Sequence, residues 1–291
     1  MFVEVGGGRA LEILLTGPED GRVLVLHLGT PVGPVDMPAL TGAASQRGLR
    51  TVICGRPGYA GSTRRPGRSV ADVTGDVTAV LDHLGADRFI TLGWSGGGPH
   101  ALACAALLPD RCAAAATLAG VAPFDADGLD WLGGMGQENV EEFGAAVAGP
   151  EALEAYLDGA AAELAAVTGD QVADALGGLV SPVDVAALTG AFAESVAAGF
   201  RSAVSSGTAG WRDDDLAFVR PWGFDLSAIT VPVSVWQGGE DRMVPPAHGA
   251  WLAAHVPGAR AHLDPAEGHI SLMNAAGHIL DDLLAAAGWT A

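Results

Sequence analysis

The sequence predicts an α/β protein with a mostly parallel central sheet flanked by helices and an inserted helical block. Three observations predict it. Over roughly the first 120 residues, short apolar runs alternate with helix-patterned segments, as in successive βαβ units. From about Pro123 to Asp225 the chain is strand-poor and rich in alanine and acidic residues. Strand signals then resume at Val231. The expected organisation is a core formed by 1–122 and 226–291, with 123–225 inserted as a lid.

Phe2 to Val5 and Arg9 to Leu15, separated by three glycines, read as an antiparallel opening hairpin. Arg22 to Leu28 is a near-continuous apolar run, the pattern of a strand buried on both faces. Thr51 to Cys54, Arg88 to Gly93 and Ala113 to Val121 repeat that signal. Between them Val73, Val77, Val80, Leu81 and Leu84 recur at helical spacing, and Pro99 to Leu108 is helix-forming. In the inserted block, helices are expected over Glu151 to Val167, Asp170 to Leu179, Val183 to Leu188 and Gly190 to Val204. Pro150, Asp170 and the pair Ser181-Pro182 supply start signals. Val231 to Gln237 and Ala259 to Leu263 read as the last strands, and Ser271 to Ala287 as the final helix.

Composition limits the function classes. The chain is 49% hydrophobic and 17% charged, which excludes disorder. It contains no lysine, and its net charge is −19. Between Val121 and Asp225, 18 acids face three arginines (Arg201, Arg212, Arg220), a local net of −15. Such a surface repels phosphate backbones and anionic lipid, so neither nucleic acid nor membrane is an expected partner. The expected role of these acids is a solvated face, with selection of a cationic substrate as the sharper reading. Three cysteines, Cys54, Cys104 and Cys112, are too scattered for a disulfide framework or a zinc site. The N-terminus has no secretory pattern, and the longest apolar run, Cys112 to Phe124, is too short to cross a bilayer, so the expected location is cytoplasmic.

The chemistry concentrates in a few loops. Gly93-Trp94-Ser95-Gly96-Gly97 is a G-x-S-x-G placed between a strand and a helix. Such a turn lifts the serine into an exposed, strained conformation, and the following helix N-terminus faces developing negative charge. Ser95 needs a base. Of eight histidines, only His269 sits in a glycine-flanked loop beyond a late strand. Asp241, beside Glu240 in the loop after Val231 to Gln237, is the acid that would hold the imidazole, and the order Ser, Asp, His suits this architecture. The backbone N–H groups of Gly96 and Thr30 are the expected oxyanion donors. Trp94, Trp131, Trp211 and Trp222 are candidates for the wall of a substrate pocket, and Gly210 to Asp215 for the return crossing of the inserted block. The mechanism needs neither a metal nor an organic cofactor.

Taken together, Gly29-Thr30-Pro31, Arg56 to Ser62, Gly93 to Gly97, Gly239 to Pro245 and Gly268-His269 resemble the lid-bearing α/β-hydrolases, in the esterase and proline iminopeptidase-like group. The resemblance covers nearly the whole chain outside the inserted block and implies the α/β-hydrolase fold. It also implies a serine hydrolase acting through an acyl-enzyme on a small carboxylic ester or lactone. The sequence departs from the family pattern at the oxyanion loop, where Leu28 precedes Gly29 and the histidine stands at His27. Serine at 95, not aspartate, argues against dehalogenase or epoxide hydrolase chemistry. An iminopeptidase-like aminopeptidase and a non-catalytic ligand-binding homologue are the alternative readings. Substrate identity and oligomeric state are not encoded in these motifs.

Overall fold

The computed structural model describes residues 1–289. β1 (Phe2–Glu4) and β2 (Ala10–Thr16) form the antiparallel hairpin, with Val3 opposite Leu11. The core continues through β3 (Arg22–His27), α1 (Pro38–Ser45), β4 (Leu49–Cys54), α2 (Val73–His83), β5 (Phe89–Trp94), α3 (Gly98–Leu107) and β6 (Cys112–Leu118). The chain then forms helices only: α4 (Gln137–Ala148), α5 (Pro150–Leu164), α6 (Val172–Leu176), α7 (Pro182–Ala187), α8 (Gly190–Val204) and α9 (Ala209–Phe218), with short 3-10 turns between some of them. The sheet resumes with β7 (Val233–Gly238), α10 (Pro246–His255), β8 (Arg260–Asp264) and α11 (Ala276–Ala286).

The strand order is β1-β2-β4-β3-β5-β6-β7-β8, antiparallel across β1, β2 and β4 and parallel from β4 onward. β4 lies on one side of β3 and β5 on the other, so the connections leaving β3 and β5 diverge and open a crevice at their C-terminal ends. His27 pairs with Gly93, which brings the end of β3 level with the end of β5. Every residue of β5 and β6 is buried. The alanines of β6 let α3 pack closely on the strand. This is the α/β-hydrolase fold.

Several local expectations require correction. Asp170 is not a helix N-cap: Thr168 caps a 3-10 turn through a capping box with Gln171. The segment from Asp170 to Leu179 is broken, because Gly177 leaves helical geometry after the five residues of α6. The final helix is split, with a 3-10 turn over Ser271–Ala275 preceding α11. Gly210 to Asp215 is not a crossing but the body of α9. Pro150 and Pro182 do open their helices, and Ser181 does cap α7. Among the described residues no helix is long and apolar enough to cross a membrane.

The turn after β5 is closed by contact. A Cβ on Gly93 would lie 2.2 Å from the carbonyl oxygen of Gly97, far inside van der Waals distance of rigid backbone. Gly93→Ala is therefore expected to cost about 3 kcal/mol of stability, at the upper end of overpacking effects. Urea denaturation would check this; a variant within about 0.5 kcal/mol of wild type would contradict it.

Candidate active site

Ser95 follows β5 directly and has φ +56°, a left-handed conformation that a non-glycine residue adopts only under strain. The strain comes from the sharp passage of buried strand into helix within four residues. Gly29 abuts the serine: a Cβ there would lie 3.2 Å from Ser95 Cβ and 3.6 Å from its Oγ. A Cβ on Gly96 would lie 2.6 Å from Thr30 Oγ1. The two expected oxyanion residues thus flank the serine from opposite loops.

His269 is buried, and its Nδ1 lies 2.9 Å from Asp241 Oδ2. Asp241 is fixed by its own surroundings. Its Oδ1 accepts the backbone N–H of Met243 (2.9 Å) and Val244 (2.8 Å), and its Oδ2 also accepts Gln237 Nε2 at 3.1 Å. Glu240 is exposed, and it is Asp241 that pairs with the histidine. Trp94 donates from Nε1 to the His269 carbonyl at 3.3 Å. Burial lowers the His27 pKa well below the ordinary imidazole value, and its Nε2 lies 3.8 Å from Cys104 Sγ, so the displaced histidine of the oxyanion loop is a neutral core residue.

Ser95, His269, Gly29, Thr30 and Gly96 line one cavity of about 200 Å³. Its far wall comes from the inserted helices, with Phe143, Leu164, Leu176, Val196, Phe200, Trp211 and Phe218. Trp94 and Trp211 therefore line it as expected. Trp131 and Trp222 do not. Trp131 donates to the Ala122 carbonyl at 2.7 Å and packs edge-on against Phe124, Phe143 and His248, so it braces the entry to the inserted block. Trp222 stacks near Phe224, and its carbonyl accepts the N–H of Ala71, which ties the exit of the block to the start of α2.

The larger correction concerns the acids. Asp184, Asp213, Asp214 and Asp215, expected on a solvated face, are buried. Asp214 Oδ2 accepts from Arg56 Nη2 (2.7 Å), Tyr59 Oη (2.8 Å) and Thr30 Oγ1 (3.0 Å), and Oδ1 pairs with Arg68 Nη2 at 2.6 Å. Burial alone would raise its pKa, but the charges of Arg56 and Arg68 hold it well below the usual carboxylate range. Arg56 also donates to the carbonyls of Leu28 (2.6 Å) and Gly29 (2.8 Å), so one ion pair anchors the loop that carries Thr30. The only sequence signal was the Trp211-to-Phe218 apolar spacing around the three aspartates.

Glu142 and Asp215 meet on the cavity wall. Glu142 Oε1 accepts Trp211 Nε1 at 2.7 Å, whereas both oxygens of fully buried Asp215 lack a fixed donor. Burial pushes Glu142 up to about 7. Burial and the neighbouring Glu142 push Asp215 well above the carboxylate range. A carboxyl raised in the folded state contributes stability that is complete below its unfolded value and is lost as pH rises toward the folded one. Glu142→Gln, which mimics the protonated acid, is expected to flatten the decline of stability between about pH 4.5 and pH 7. Urea unfolding across that range checks it, and curves parallel to wild type would refute it.

The comparisons with known proteins agree with this fold. The family model for the alpha/beta hydrolase fold matches residues 24–276. The chain is 30% identical to epoxide hydrolase B of Mycobacterium tuberculosis over 154 residues, which cover 49% of this chain and 42% of that protein. It thus spans less than half the length of that curated relative. Among solved structures, it is similar to an esterase, RhEst1, from Rhodococcus (21% identity, TM-score 0.66, 99% and 98% of the two chains covered). It is also similar to an enol-lactonase from Burkholderia xenovorans (22% identity, TM-score 0.61, 97% and 99% covered). The chain belongs to the alpha/beta hydrolase fold family.

Proposed function

We propose that this hydrolase cleaves a small carboxylic ester or lactone through a serine acyl-enzyme. The observation that carries the reading is the strained Ser95 sharing one cavity with a buried His269 whose Nδ1 is held by Asp241. His269 takes the Ser95 proton as Oγ bonds to the substrate carbonyl carbon. The same imidazole returns that proton to the departing alkoxide, leaving Ser95 acylated. Water, deprotonated by His269, then releases the acid and restores the serine. Asp241 keeps the tautomer in which Nδ1–H points to the carboxylate, and the N–H groups of Gly96 and Thr30 stabilise the oxyanion. A serine at 95 supports acyl transfer over the attack of a carboxylate on carbon, despite the partial similarity to an epoxide hydrolase. The largely apolar wall supports a small, weakly polar acyl or alcohol group.

Burst release of p-nitrophenol from the acetate or butyrate ester is expected, with kcat falling at least about 10³-fold in Ser95→Ala. Turnover that survives in that variant would sink the serine assignment.

One observation favours a second reading, an aminopeptidase of the iminopeptidase-like kind. The Glu142–Asp215 pair places acidic, incompletely satisfied oxygens inside the cavity, where a substrate ammonium would find partners. Prolyl-arylamide is then expected to turn over much faster than its N-acetylated form; equal rates exclude ammonium recognition.

A further inference from the structure

Asp184 lies on α7, in the inserted block, yet both oxygens of its carboxylate reach across to the loop that carries His269. Its Oδ2 accepts the backbone N–H of His269 at 3.2 Å, and its Oδ1 accepts those of Ile270 at 2.7 Å and Ser271 at 3.0 Å. The side chain is fully buried. Among the described residues it makes no ion pair with an arginine. Leaving a carboxylate without a counter-charge in the interior is costly, and only several well-aimed donors offset that cost.

The carboxylate is itself held in place. Ser181 donates to Oδ2 from Oγ (2.9 Å) and from its backbone N–H (3.3 Å), closing the capping box of α7. On the other side, a Cβ on Gly268 would lie 2.4 Å from each Asp184 oxygen, so glycine is required for this close approach. Gly268 N–H in turn donates to Ser271 Oγ at 2.8 Å, which closes the loop on itself.

We propose that Asp184 is a positioning residue for the reaction: a carboxylate supplied by the inserted block that fixes the backbone of the general base, as Asp241 fixes its ring. The inference rests on the reading of His269 as that base. It assigns the inserted block a part in catalysis distinct from covering the cavity. His269 is then gripped from two directions, on the ring by the loop after β7 and on the backbone by α7. Misplacing it by about 1 Å is enough to cost of the order of 10²-fold in rate.

The test measures kcat and KM of Asp184→Asn and Asp184→Glu on a p-nitrophenyl ester, per active site titrated with a fluorophosphonate. Expected for Asp184→Asn is a fall in kcat of about 10- to 100-fold with KM within about twofold. Asp184→Glu displaces the carboxylate, so its kcat should fall as well. Wild-type kcat per titrated site in Asp184→Asn, whatever happens to the melting temperature, would overturn the proposal. If Asp184→Asn does not fold, wild-type kcat in Asp184→Glu overturns it alone. Ser95→Ala separates the two readings: turnover persisting there defeats the serine mechanism, whereas Ser95-dependent turnover indifferent to Asp184 defeats only this inference.

Discussion

The architecture of the site depends on one buried carboxylate, Asp214. It lies on α9 in the inserted block but is bound to Arg56 and Arg68 of the core, to Tyr59 Oη and to Thr30 Oγ1. Arg56 spends its remaining donors on the carbonyls of Leu28 and Gly29. The loop of residues 28–30 beside Ser95 is therefore not shaped by its own short sequence. It is held by an ion pair whose acid is about 180 residues away in the chain. Breaking such a pair from one side leaves an uncompensated charge in the interior and costs about 3–5 kcal/mol. His100, buried beside Asp214, is pushed down to about 4 chiefly by burial, so it adds no third cation to Arg56 and Arg68.

This dependence explains what could be read from the chain and what could not. The alternation of apolar runs and helical spacing made the sheet legible, because strands buried on both faces impose a local pattern. Ser95 was legible from its strand–turn–helix setting, and His269 and Asp241 from loops that follow strands in the expected order. Glycine-flanked turns carry local information. Asp184 and Asp214 were not legible, because their partners lie 85 and 184 residues away, and an aspartate that accepts backbone N–H groups looks the same in sequence as one in solvent. Trp131 and Trp222 failed for a related reason. A large aromatic ring in an inserted block has several apolar neighbours to choose from, and both chose the block's attachment points over the cavity. The broken stretch from Asp170 to Leu179 reflects Gly177, whose backbone geometry ends α6 despite favourable spacing around it.

The acidity of the inserted block also takes on a different meaning. A local net charge of −15 suggests a solvated surface, and much of it is that. The four buried aspartates are different in kind. Asp184 is neutralised by N–H dipoles, Asp213 by Arg64, and Asp214 by Arg56 and Arg68, while burial and Glu142 push the Asp215 carboxyl well above the usual carboxylate range. Each arrangement has a structural consequence: a held loop, a surface clasp, an anchored loop beside Ser95 and an acidic spot on the cavity wall.

Helical geometry joins two of those consequences in one element. On α9, Trp211, Asp215 and Phe218 recur at spacings of four and three, and all three line the cavity. Asp214 is one residue from Asp215, about 100° around the helix, and points instead to the arginines behind the oxyanion loop. The face that lines the cavity and the face that holds the loop of residues 28–30 are thus adjacent stripes of the same helix. Any rotation or shift of α9 that enlarged the pocket would also move Asp214 and, through Arg56, the carbonyls of Leu28 and Gly29. α7 imposes the same condition on the histidine loop through Asp184. The shape of the cavity can therefore change through side chains that line it, such as Phe143, Val196 or Phe200, while α7 and α9 stay tied to the loops of His269 and Gly29.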